Sequence, residues 1–352
     1  MHEDLYTRLR EYMDKMPGGY PTTDTGVELR ILKKLFTPDD AAFLLKLNRE
    51  PEDAATVAKR IGMDEGSAGE RLEEMSRRGL IFRKHEGGKV FYNPISFLVG
   101  VYEFQLYRMD RELVELWEEF APYLGMSLAP LLNKQLRVAP VNSAVERMPA
   151  VATYNRIRDL VSEQSTIAMT PCVCRKKERL MGKNTCQRPE ELCFSFGPFA
   201  QYIIENGLGK SLTSDETLKL LDLAEESALV LSPSNSQELA FLCCCCGCCC
   251  TILSQLKLIP NPADYVQTDY QARIDAESCT ACGVCPERCQ IDAIKENNGS
   301  MQVDPARCIG CGLCVSTCTA EAITLVLKEN PKVPPKDFEE LLERLAEERG
   351  VL

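Results

Sequence analysis

Residues 275–294 read DAESCTACGVCPERCQIDAI, and residues 304–323 read DPARCIGCGLCVSTCTAEAI. Both follow Cys-x2-Cys-x2-Cys-x3-Cys: Cys279, Cys282, Cys285 and Cys289 in one copy, Cys308, Cys311, Cys314 and Cys318 in the other. The offset is 29 residues (308 minus 279), and it also superposes Asp275 on Asp304, Gly283 on Gly312 and Ile294 on Ile323. Such self-similarity marks an internal duplication, each copy reading as strand, loop, short helix, strand. A loop with a cysteine every third residue wraps a cubane whose iron corners point several ways. Gly283 and Gly312 let the backbone come close. The spacing therefore implies two [4Fe–4S] clusters; paired zinc sites are the alternative, and the repeat disfavours them.

Working outward, the chain has 352 residues, 19 cysteines, only two histidines and a formal charge of -11. This length suits two or three domains with real cores, and cysteines spaced as ligands point to reduced, metal-binding thiols in the cytoplasm. With His2 and His85 alone, imidazole catalysis and Cys/His zinc fingers have little to work with. The acidic balance disfavours nucleic acid as the main partner. The charged N-terminus has no signal-peptide core, and no window is apolar enough for a membrane span.

Upstream of the duplication lies a second cysteine-rich block. Cys172-x-Cys174-Arg175 is followed by Cys186 and Cys193, a set able to surround one site if the chain folds back, with Arg175, Lys176 and Lys177 offsetting thiolate charge. A run from Cys243 to Cys250 is interrupted only by Gly247. Cys243, Cys246 and Cys249 repeat the threefold spacing, a register through Cys245 and Cys248 is the alternative, and Cys250 adds a further thiol. A fourth ligand comes from the run itself, Cys186 or Cys193. The block is expected to hold one or two more clusters, with a four-cysteine zinc site and a merely apolar stretch as the alternatives.

Nearer the N-terminus, Pro38 to Leu47, Glu52 to Ile61 and Asp64 to Arg78 read as helices. Leu80 to Arg83 and Lys89 to Tyr92 then flank Gly87-Gly88 as a hairpin. The order resembles a winged helix-turn-helix. Acidic Asp64, Glu65, Glu70, Glu73 and Glu74 on the third helix favour docking over DNA reading. An amphipathic helix from Met109 to Phe120 carries Trp117, and Pro122, Pro130, Pro140 and Pro149 are expected to break the following segment. Expected units are residues 1–27 (helix and linker), 28–94 (winged-helix-like), 95–170 (helical connector), 171–270 (Cys-rich), 271–327 (cluster repeat) and 328–352 (acidic helix). The fold class is α+β and multidomain, with a mainly helical middle.

The duplicated block resembles bacterial two-cluster ferredoxins, departing only where their usual proline after the fourth cysteine is Gln290 or Thr319. In those proteins the fourth cysteine ligates the other cluster. The resemblance thus implies one cluster on Cys279, Cys282, Cys285 and Cys318, and another on Cys308, Cys311, Cys314 and Cys289. The whole chain is similar to bacterial and archaeal ferredoxin-type proteins of anaerobes that join a winged-helix-like region, a Cys-x-Cys-Arg segment, a Cys-Cys-Gly-Cys-Cys-Cys-like run and a dicluster domain. That family is described in terms of electron transfer, which implies a larger oxidoreductase or flavoprotein as redox partner. No Gly-rich phosphate loop follows a strand, so no flavin, NAD or ATP site is expected. A redox-sensing winged-helix regulator and a cluster enzyme acting on a small substrate are the rival readings.

Overall fold

The computed structural model describes residues 2–148, 150–183 and 186–351. It mixes helix and sheet, in keeping with an α+β chain. In the N-terminal part, helices His2–Asp14, Val27–Leu35 and Pro38–Leu44 pack around Leu9, Ile31, Leu32 and Leu44, all fully buried. Side-chain caps start the next helices, the first of them two residues later than the expected Glu52. Asp53 accepts from Thr56 N at the head of Ala54–Ile61, and Asp64 from Ser67 N at the head of Glu65–Arg77. Strands Phe82–Glu86 and Lys89–Asn93 then pair across Gly87 and Gly88, whose φ values of 58° and 78° only glycine adopts cheaply. Glu52 and Asp53 add a short third strand.

The helix carrying Trp117 runs Arg111–Leu128, straight through Pro122. The proline removes one backbone bond, yet Phe120, Ala121 and Leu124 are buried on either side of it and hold the helix together. Tyr20, Phe97, Tyr102, Trp117 and Phe120 form one aromatic cluster there.

The middle of the chain departs from the mainly helical expectation. Its centre is a five-stranded antiparallel sheet in the order Lys210–Leu212, Ile167–Thr170, Cys193–Phe196, Phe241–Cys245, Val230–Pro233. Helices Val173–Leu180, Gly197–Glu205, Ser214–Glu226 and Thr251–Lys257 connect or flank these strands. Helix Gly197–Glu205 also seats Tyr202 against Phe82 and Phe104, and buried Arg83 bonds both Glu73 and Glu205, so the N-terminal hairpin and the sheet share a boundary.

In the C-terminal repeat, strand Tyr270–Ile274 pairs with Ile323–Leu327, and Ile294–Asn297 with Ser300–Val303. The first strand of each copy thus pairs with the last strand of the other. Helix Phe338–Arg349 closes the molecule. Arg349 donates to the carbonyls of Asp14 (2.7 Å) and Met16 (2.6 Å), and Phe338 sets its ring edge-on to Phe199 and Phe241.

Candidate metal centres

The 29-residue offset (308 minus 279) seen in the sequence recurs in the backbone. Ala281 and Gly310 both take positive φ, as do Gly283 and Gly312, and Asp292 and Glu321. Asp275 N bonds the Ala322 carbonyl, and Asp304 N bonds the Ala293 carbonyl, each at 2.8 Å. The sulfur environment repeats too: Met301 N donates to Cys279 Sγ (3.4 Å) and Ala272 N to Cys308 Sγ (3.3 Å), each amide coming from the opposite copy. Ala293 N donates to Cys289 Sγ at 3.2 Å. Strand exchange between copies brings the helix end of one copy beside the loop of the other.

A small apolar recess is accordingly lined by Cys279, Cys282 and Cys285 from the first copy and Cys318 from the second. Cys289 lies among Cys308, Cys311 and Cys314. Cys285 and Cys314 approach one another where the two sets meet. Burial pushes the Cys285 thiol up to about 11 and Cys311 up to about 12. Such thiols ionise only with a cation beside them, which suits ligands that shed protons on binding metal.

The central block divides in two. On strand Phe241–Cys245, side chains alternate, so Cys243 and Cys245 face one way and Cys244 enters the core at 2% exposure. Cys193 lies directly across from Cys243. The remaining thiols neighbour and influence one another in a line: Cys193, Cys243, Cys245, Cys250, Cys174 and Cys172. The other group is Cys186, Cys246, Cys248 and Cys249, whose sulfurs all lie within 4.8 Å of one another. Cys246 is held well below the usual thiol range because it accepts from Cys249 and faces Arg175.

These groupings differ from both registers of three expected in the run. Cys243 and Cys246 belong to different groups, and so do Cys245 and Cys248. A period of three suits a loop, whereas Cys243 to Cys245 lie in a strand with period two. Cys186 likewise leaves Cys172, Cys174 and Cys193 and joins the run's turn.

Arg175 is the one member of its basic trio that faces sulfur. It is 2% exposed, bonds the Cys244 carbonyl through Nη2 at 2.8 Å, and sits near Cys172, Cys186, Cys245 and Cys246. Among the described residues, its Nε and Nη1 have no partner. Lys176 instead bonds the Leu106 carbonyl, and Lys177 pairs with Glu118 and Glu178. The Cys run is pinned to the C-terminal repeat at Gly247, whose N–H donates to Gln290 Oε1 at 2.9 Å. A Cβ on Gly247 would stand 2.2 Å from the Gln290 carbonyl. The residue that breaks the usual proline pattern is therefore a docking point, and that departure was its sequence signal. The backbone amides on Cys279 and Cys308 and the sulfur contact of Arg188 had no such signal.

Residues 301–324 match the family described as a 4Fe-4S binding domain. No curated protein and no solved structure matches the chain. The match and the grouped cysteines together define an iron–sulfur, metal-binding protein. Among the described residues, no helix is long and apolar enough to cross a membrane.

Proposed function

We propose that the chain is an electron carrier with two [4Fe–4S] clusters in its C-terminal repeat and further metal centres in the central block. The observation that carries this reading is the exchanged repeat, which gathers Cys318 with Cys279, Cys282 and Cys285. The proposed ligands of the second cluster are Cys308, Cys311, Cys314 and Cys289. The clusters, when bound, supply one-electron chemistry. The chain holds the sulfurs, excludes water with Ile274, Met301 and Ile323, and donates backbone N–H groups to Cys279 and Cys308, which favours the reduced state. Cys172, Cys174, Cys193, Cys243, Cys245 and Cys250 offer ligands for an additional cluster, and Cys186, Cys246, Cys248 and Cys249 for another centre. The Gly247–Gln290 contact, which joins the Cys run to the repeat, supports a chain of centres suited to passing electrons to a partner oxidoreductase or flavoprotein.

The N-terminal helices and hairpin are read as a winged-helix-like docking module. Several of its basic residues are already engaged: Arg71 and Arg78 with Asp40, Arg83 with Glu73 and Glu205, His85 with Glu205, and Lys89 with Asp53. A DNA-reading surface needs free cations, so this favours the carrier over a winged-helix regulator. Oxygen-free purification followed by iron and sulfide analysis and EPR of the reduced protein tests the proposal. About 8 iron or more, matched by sulfide and reversibly reducible, is expected. Iron well below about 8 in intact protein rejects it.

A further inference from the structure

The four thiols at the turn of the Cys run are packed differently from those of the C-terminal repeat. Cys186 Sγ lies 4.0 Å from Cys246 Sγ, Cys248 Sγ lies 3.7 Å from Cys249 Sγ, and all four sulfurs fall within 4.8 Å of one another. Thiolates bound at about 2.3 Å to one tetrahedral ion stand about 3.8 Å apart. A cubane's thiolates radiate from four separate irons and stand farther apart. The repeat supplies an internal reference: among the described residues, neither of its cysteine sets brings three sulfurs within 4.8 Å of one another.

The backbone builds this compact set. Cys250 N bonds the Cys246 carbonyl at 3.1 Å, turning the chain so that Cys246, Cys248 and Cys249 converge. Gly247 within the turn is fixed against Gln290, and Cys186 joins the set from a distant part of the chain. Four thiolates around a divalent ion carry a surplus of two negative charges, and two arginines flank them. Arg188 points Nη1 at Cys248 Sγ from 3.6 Å while its Nε bonds the Ser227 carbonyl at 3.0 Å. Arg175, buried and with its Nε and Nη1 unpartnered among the described residues, faces Cys186 and Cys246. A buried guanidinium left short of acceptors is costly, and anionic metal-bound sulfur supplies what it lacks.

We propose that Cys186, Cys246, Cys248 and Cys249 bind a single divalent metal ion of the zinc or iron(II) class as a closed, sulfide-free tetrathiolate. This ion clamps the segment around Cys186 to the turn that docks on Gln290. The inference deepens the reading of the central block but does not depend on the clusters of the repeat.

The test compares metal and acid-labile sulfide in oxygen-free preparations of the full chain, of Cys249→Ser and of a control, Cys244→Ala. In [4Fe–4S] clusters iron and sulfide are equal, so a mononuclear ion appears as metal without matching sulfide. The full chain and the Cys244→Ala control should show one such unmatched ion, and Cys249→Ser should lose it with sulfide unchanged. Whether that ion is zinc or iron tells a structural clamp from a redox centre. Parallel loss of about four iron and four sulfide in Cys249→Ser would overturn the proposal. If Cys249→Ser fails to fold, cobalt(II) incorporation into the full chain decides: one equivalent with the absorption of tetrahedral cobalt–thiolate is expected, and its absence refutes the site. Low total iron and sulfide together with an unmatched ion would reject the two-cluster carrier while upholding this site.

Discussion

The C-terminal repeat and the central Cys run use the same ligand atom in opposite ways. In the repeat, cysteines recur every third residue, and the strand exchange brings Cys318 of one copy to the recess lined by Cys279, Cys282 and Cys285 of the other. In the run, seven cysteines in eight positions straddle a strand end and a turn, so neighbours in sequence part company in space. Cys244 goes to the core, Cys243 and Cys245 to one group, and Cys246, Cys248 and Cys249 to another. Ligand spacing has meaning only relative to the period of the element that carries it.

The strongest way to break this comparison is to separate exchanged from local ligation in the repeat. Replacing Cys279 and Cys318 together by Ser should remove about four iron, since both serve one cluster. Replacing Cys308 and Cys318 together should remove about eight. The reverse pattern, about eight iron lost from the first pair and about four from the second, would show that each copy holds its own cluster. Iron and sulfide assays suffice.

Arg175→Met probes the central block next. With its buried counter-charge removed, metal binding there should weaken by about 3–5 kcal/mol, while iron in the repeat stays. Metal retained in the central block after dialysis against a chelator would deny Arg175 this role.

A smaller effect is expected where the two regions touch. Gly247→Ala forces a methyl group toward the Gln290 carbonyl and should cost about 1–3 kcal/mol in denaturant unfolding. Gln290→Pro restores the common ferredoxin residue but removes the acceptor for Gly247 N–H, a loss of about 0.5–1.5 kcal/mol. If Gln290→Pro proves the more damaging of the two, the contact is held by something other than this close approach.

Much of the fold was legible before the structure. Gly87-Gly88 between two β-rich stretches marked the hairpin, Asp64 marked a helix start, and the duplication foretold a strand at each end of both copies. The five-stranded sheet was not legible. Its strands are only three to five residues long and widely separated in sequence, and cysteine on both faces of Phe241–Cys245 hides the alternation that would reveal it. The grouping of central thiols depends on that sheet, so it was hidden as well. Pro122 misled for a related reason: a local breaker was outweighed by burial on both sides, which a local pattern cannot report.

The clasp made by Arg349 on Asp14 and Met16 joins positions 335 and 333 residues apart. At a translation rate of about 5–20 residues per second, the ribosome needs tens of seconds to pass from one partner to the other. Throughout that interval the first helix lacks its final anchor, while all 19 cysteines are synthesised before the clasp can form. The last helix can therefore close on the first only after every cysteine of the chain has been made.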